Sequence, residues 1–253
     1  MRAPVPIPHA DIPVRGRIAL QAATAAPPDL PDHRTLTEAA LTTLLLAAVL
    51  TGGTVLVREP LPLLLPAVRA VGHLIACTGA YVVASRTGLT ATSRASGGAL
   101  DPLHCRLESA VLPILAVAAA RAEGPSTLVP VYADAAWQAD RCARLGLRAT
   151  VSGDQVEIAP GFAATPGVID HGGEPPLVLA ALLLGLVRPG TSIVDAAPLA
   201  RRLPGFTDSW SALLAADEFL LPGSDLVPTD YVRRGGESPS PCRARPSEGS
   251  CEA

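Results

Sequence analysis

One phrase is written three times in this chain. "LTTLLLAAVLTGGTVLV" (Leu41 to Val57), "LPILAVAAARAEGPSTLV" (Leu112 to Val129) and "LVLAALLLGLVRPGTSIV" (Leu177 to Val194) share a shape: an apolar run, a Gly or Pro-Gly stop, then a short β-branched run. An apolar run with no polar face predicts a helix buried on most sides. Gly53, Gly124 and Gly190 supply the usual C-terminal stop, and "TVLV", "STLV" and "TSIV" predict strands directly after them. Each run is about 12 to 15 residues, short of the roughly 20 that a membrane span needs. The reading is therefore buried core helices and no membrane segment.

The phrases stand about 65 to 72 residues apart. That period is too long for the common solenoids. The stretches behind them also correspond. "LLLPAVRAVGHLIACTGAYVVA" and "AAWQADRCARLGLRATVSGDQVEIAP" each predict a helix, a Gly and a strand, and Gly153-Asp154 reads as a hairpin turn. "DAAPLARRLPGFTDSWSALLA" predicts one more helix after the third strand. The fold class expected is α/β (α+β). It consists of three pseudo-symmetric strand–helix–strand–helix–hairpin repeats, with apolar helices inside and sheets outside. The domain is placed at residues 11–221, after a flexible Pro-rich start (1–10) and before a disordered tail (222–253) rich in Pro, Gly, Ser and Arg.

The 253 residues suffice for one large domain or two small ones, and 49% apolar residues supply a core. A formal charge of −3 without a basic block argues against nucleic acid as a partner. The sequence contains no lysine, so all 20 basic residues are arginine. Schiff-base chemistry and phosphate-binding lysines are thereby excluded, and any anion must be held by arginine or backbone N–H groups. Cys77, Cys105, Cys142, Cys242 and Cys251 form no C-x-x-C pair, and the start lacks the apolar core of a signal peptide. Reduced thiols in a cytoplasmic protein are expected. The five histidines have no metal-ligand spacing, so neither metal nor cofactor is expected. No G-x-S-x-G elbow, G-x-G-x-x-G turn or Walker loop is present.

The third phrase extends into "DHGGEPPLVLAALLLGLVRPGTSIVDAAPLARRLPGF" (170–206). This frame resembles the last repeat of the enolpyruvyl transferases, most closely the EPSP synthases. In that family Asp-His-Arg opens a buried helix, a Gly turn and strand follow, and then Ala-Lys-Ser/Thr-Phe-Pro. Here Asp170-His171 stands at the helix opening and Ala200-Arg201-Arg202-Leu203-Pro204 at the second motif. Glu108-Ser109-Ala110 fills the place of the family's Pro-Asp-Ala-Ala, where a carboxylate opens the preceding helix. "RGRIALQAA" is similar to the family's first strand through Gly16 and Ile18, with the catalytic lysine position near Thr24. The resemblance covers about Arg15 to Leu214.

It implies transfer of an enolpyruvyl (carboxyvinyl) group from phosphoenolpyruvate to a hydroxyl of a phosphorylated hydroxy acid such as shikimate 3-phosphate, a step of aromatic amino acid biosynthesis. Glu108 would then move the proton, and Arg201 would hold phosphoenolpyruvate in place of lysine. Arginine binds such anions but cannot shuttle protons. Asp170, His171, Arg202 and Arg106 would bind substrate, with His104 on the same polar face as Arg106. Each residue also has a plainer reading: Glu108 as an acid at a helix N-terminus, His171 as a hydrogen-bonding core residue, Arg201 as a surface arginine.

Several family side chains are absent. Gly172 replaces the motif arginine, both lysines are missing, and "VPVYADAA" stands where a Lys-Glu pair is expected. The family folds as two domains of three repeats around a cleft, and this chain shows three repeats. Two functions follow from that. One is a divergent or impaired transferase that completes its cleft with a second domain or a second copy. The other is a non-catalytic anion-binding or self-associating domain that keeps the fold.

Overall fold

A computed structural model describes residues 5–6, 15–19, 33–51, 54–58, 81–85, 88–92, 100, 102–163 and 167–215. The tail from 222 onwards and the helix expected from Leu63 lie outside the described residues.

Three helices correspond to the three apolar runs: α1 (His33–Thr51), α2 (Leu112–Ala119) and the helix Pro175–Val187, which is α4 in chain order. All eight residues of α2 are buried, as are the ten from Leu177 to Leu186 in α4. Burying one Leu side chain is worth about 1.5 to 3 kcal/mol, so these runs dominate the core. α1, α2 and α4 pack against one another. Two polar residues inside α1 are compatible with burial because each hydroxyl bonds back to its own helix: Thr42 Oγ1 donates to the Glu38 carbonyl and Thr43 Oγ1 to the Ala39 carbonyl, both at 2.8 Å. No helix among the described residues is long and apolar enough to cross a membrane.

The strands form three sheets with a common plan. β2 (Arg15–Ala19) runs parallel to β3 (Thr54–Arg58), with α1 as the crossover. β6 (His104–Glu108) runs parallel to β7 (Ser126–Val131) across α2. β10 (Val168–Ile169) runs parallel to β11 (Ser192–Ile193) across α4. Parallel neighbours need such a crossover, and a buried helix is the usual one. Each pair then gains an antiparallel neighbour. β3 takes β5 (Gly88–Thr92), itself paired with β4 (Tyr81–Ser85). β7 takes β9 (Gln155–Phe162), paired with β8 (Leu147–Ser152). For β11 the neighbour is β1 (Val5–Pro6), from the far end of the chain.

Four local differences from the sequence reading have physical causes. The Pro-rich start, expected to be flexible, contributes β1; it sits at a sheet edge, where a proline without an N–H is tolerated. The single helix expected after β11 is two, α5 (Ala197–Arg202) and α6 (Phe206–Ala215), separated by Leu203-Pro204-Gly205 with Gly205 at φ 80°. Glu108 ends β6 and does not open α2, which starts at Leu112. Asp170-His171 likewise precedes α4 by several residues. Gly172 (φ 58°) and Gly173 (φ 80°) turn the chain first, and Glu174 is held extended (φ −86°, ψ 114°) by the proline that follows it.

The remaining helix, α3 (Ala135–Arg144), is amphipathic. Asp134 caps it, accepting from the Trp137 N–H at 2.9 Å, and Gly146 at φ 74° ends it before the hairpin β8–β9. That hairpin turns at Gly153-Asp154, as the sequence predicts, with Gly153 at φ 64° and Ser152 facing Gln155.

Candidate active site

In sheets with parallel strands, ligands gather beyond the carboxyl ends of the strands. For β6 and β7 those ends are Glu108 and Val131, which are register partners. β6 alternates exposed and buried, so His104, Arg106 and Glu108 share the exposed face. Leu107 and Cys105 point into the core. One carboxylate and one guanidinium thus stand two residues apart on one strand face.

Directly beyond Glu108, Ser109 is tied down by α3. Arg141 Nη1 donates to the Ser109 carbonyl at 2.7 Å, and Gln138 Nε2 donates to Ser109 Oγ at 2.8 Å. Arg141 Nη1 also donates to Gln138 Oε1 at 2.9 Å. The Arg141 guanidinium lies over the Trp137 ring, 4.5 Å from its centroid. Arg141 is only 2% exposed, and its charge is balanced by Glu174, whose Oε2 is 2.8 Å from Nε. Burial pulls the Arg141 pKa below its usual value, and Glu174 opposes that shift. Glu174 also accepts from Arg144 Nη2 through Oε1 at 2.5 Å. A chain of contacts thus runs from the end of β6 through α3 to the start of α4.

Next to Glu174 lies the Asp170-His171-Gly172-Gly173 turn. Asp170 Oδ1 accepts from the Gly172 N–H at 2.9 Å, and His171 Nδ1 accepts from the Gly173 N–H at 3.0 Å. That second bond places the proton of a neutral imidazole on Nε2. His171 is 4% exposed, and its Nε2 has no hydrogen-bond partner among the described residues. Asp170 is exposed. A Cβ at Gly172 would fall 2.7 Å from Arg144 Nη1, so the Arg144 guanidinium fills the space a side chain at 172 would start from.

The contacts thus run from Ser109, next to Glu108, through Arg141 to Glu174, whose N–H donates to the His171 carbonyl at 3.0 Å; none among the described residues joins Glu108 itself to Asp170 or His171. Arg106 shares the Glu108 strand face. Arg201 and Arg202 are exposed in the last turn of α5. No hydrogen bond or ion pair among the described residues joins them to this cluster. Sequence reading missed Gln138, Arg141, Arg144 and Glu174. Arg141 and Arg144 lie about thirty residues from the partners they hold, and nothing local marks them. Tyr132 was missed as well; it immediately follows β7 and stands at φ 57°.

A cavity of about 140 Å³ adjoins this cluster through Arg144 and is lined also by Gly146, Val168, Leu184, Arg188 and Thr191 among others. None of the site residues expected from sequence lines it. The buried Arg188 guanidinium stacks 5.0 Å from the Phe162 ring centroid, and burial lowers its pKa.

No protein-family model matches the chain. Among solved structures it is similar to the enolpyruvyl transferase NikO from Streptomyces tendae, at 21% identity and TM-score 0.55 over 70% of this chain and 42% of NikO. It is also similar to an EPSP synthase from Acinetobacter baumannii, at 17% identity and TM-score 0.50 over 69% of this chain and 45% of that one. At these identities the likeness is one of fold. The chain therefore has the enolpyruvyl transferase fold, and it spans less than half the length of these two proteins.

Proposed function

We propose that the chain carries out carboxyvinyl transfer from phosphoenolpyruvate to a hydroxyl of a phosphorylated acceptor such as shikimate 3-phosphate. The observation that carries this reading is Glu108, exposed at the carboxyl end of a parallel strand pair within the enolpyruvyl transferase fold. In such a transfer the acceptor oxygen adds to C2 of phosphoenolpyruvate as a proton adds to C3; loss of a C3 proton then restores the double bond, the C2–O bond to phosphate breaks, and phosphate leaves. A carboxylate beside the acceptor takes the hydroxyl proton as the acceptor oxygen adds. Glu108 has this role.

Arg106, on the same strand face, offers a cation to the acceptor phosphate. Arg201 and Arg202 hold the phosphoenolpyruvate anion when a second domain or a second copy closes over the site. Asp170 and His171 set the turn beside it, His171 with a buried Nε2 donor. Arg144, in the space beside Gly172, supplies positive charge near the position of the family's motif arginine. The site works without metal or cofactor, in the cytoplasm.

One arrangement favours a second reading, an anion-binding domain without turnover. Arg201 and Arg202 are exposed, and no hydrogen bond or ion pair among the described residues joins them to Glu108, so they can hold an anion without a proton-transfer group beside it. Phosphate release from phosphoenolpyruvate and shikimate 3-phosphate separates the two readings. Release that falls by about a hundred-fold or more in Glu108→Gln supports the transferase. No release, with thermal stabilisation by either anion, supports the binding domain. No release and no stabilisation rejects both.

A further inference from the structure

Tyr132 is unusual on two counts. It is the one non-glycine with positive φ among the described residues, at 57°. It is also 98% exposed. The left-handed region is disfavoured for a side chain as bulky as tyrosine, and glycine would occupy it freely. Strain of this kind persists when something rewards it. Packing within the chain does not. No hydrogen bond, ring contact or ion pair among the described residues involves the Tyr132 side chain, and the exposure leaves it almost no neighbours.

Its location supplies the missing term. Val131, the last residue of β7, is in register with Glu108, the last residue of β6. Adjacent strands lie about 4.8 Å apart, so Tyr132 leaves the sheet one residue beyond the point beside Glu108. Two residues later Asp134 caps α3. Tyr132 and Glu108 thus stand at the same carboxyl end of the strand pair. An aromatic ring on an exposed turn offers a flat apolar face, and its phenol can hydrogen-bond at the edge.

We propose that Tyr132 is a substrate-contacting residue that selects the acceptor, laying its ring against the carbocyclic or sugar-like face of a hydroxylated, phosphorylated ring whose hydroxyl meets Glu108. This rests on the transferase reading above and extends it to the chemistry of the acceptor. The backbone strain is then the cost of aiming an aromatic side chain out of the sheet and over the ligand.

The test uses the full-length chain and two measurements on wild type, Tyr132→Gly and Tyr132→Phe: thermal unfolding, and calorimetric titration with shikimate 3-phosphate and, separately, with phosphoenolpyruvate. The expected result has opposite signs. Tyr132→Gly melts higher, because glycine accepts the left-handed backbone, yet binds shikimate 3-phosphate about ten-fold more weakly, the worth of one aromatic contact. Its phosphoenolpyruvate affinity is unchanged, and Tyr132→Phe keeps most of the acceptor affinity. A Tyr132→Gly variant that melts higher and binds the acceptor like wild type overturns the proposal while leaving the transferase reading intact. One that melts lower shows that the tyrosine supports its own turn, and overturns it too. Wild type that binds neither molecule removes the transferase reading, and this proposal with it.

Discussion

Glu174 Oε2 lies 2.8 Å from Arg141 Nε, across the space between the start of α4 and the body of α3. Arg141 is the most deeply buried charge in the described chain, and it in turn holds the Ser109 carbonyl next to Glu108. The pair therefore does two things. It balances a charge inside the fold, and it fixes the chain immediately after the proposed proton-transfer residue.

Glu174→Gln leaves Arg141 buried without its counter-charge. Breaking a buried pair from one side costs about 3 to 5 kcal/mol. For a domain of this size that lowers the melting temperature by roughly 6 to 20 °C. Thermal unfolding of the variant checks it. A fall of only a degree or two would mean that solvent reaches Arg141 and the pair is a surface one.

The glycines of the turn before α4 differ in their surroundings. Gly173 (φ 80°) has open space where a Cβ would go, whereas a Cβ at Gly172 (φ 58°) meets Arg144 Nη1. Alanine at either position pays the left-handed penalty of about 1 to 2 kcal/mol. Gly172→Ala should lose roughly 1 kcal/mol more, because Arg144 must leave its hydrogen bond to Glu174. Urea unfolding of the two variants side by side gives the difference. Equal losses would show that Arg144 moves aside freely.

Burial pushes the Cys142 thiol up from 9.0 to about 12. In the unfolded chain it ionises near its ordinary value, so between about pH 9 and pH 12 the unfolded state has given up a proton that the folded state keeps. Stability from this group therefore falls as pH rises through that window, by at most about 1.4 kcal/mol per pH unit. Unfolding free energies at about pH 8 and about pH 10 should diverge less in Cys142→Ala than in wild type. The same burial predicts a thiol inert to alkylation until the protein unfolds.

Arg188 contrasts with Arg141. It too is buried, but its contact is a ring, and no carboxylate pairs with it among the described residues. Arg188→Met keeps much of the side-chain volume and removes a charge that burial disfavours, while giving up a cation–π contact of about 0.5 to 1 kcal/mol. The melting temperature should stay level or rise. A loss approaching that of Glu174→Gln would mean the guanidinium serves the fold in a further way.

The helices and their strands were legible because burial writes itself into composition. A run such as Leu177 to Leu186, with no polar face, has one place to go, and a glycine after it has one use. Gly153-Asp154 marked its hairpin for the same local reason. Helix starts were less legible. Asp170-His171 sits where a helix opening was expected, but two glycines at positive φ and then Pro175 delay the helix. The candidate site was legible only in part. Glu108 and His171 stood out through motifs, whereas Arg141, Gln138 and Glu174 are joined by long-range contacts that no window of sequence contains. Tyr132 gave no signal, since a positive φ on a tyrosine is a property of the backbone alone.

The pairing of β1 with β11 has a consequence in time. Val5 is synthesised long before Ile193, yet the two are partners. At about 5 to 20 residues per second, β1 waits on the order of ten to forty seconds for the strand it belongs to. During that interval the other two sheets can close, because their strands are nearer in sequence. The third sheet, like the packing of α6 on β2, then joins segments far apart in sequence, and these are among the slowest contacts of the described residues to be made.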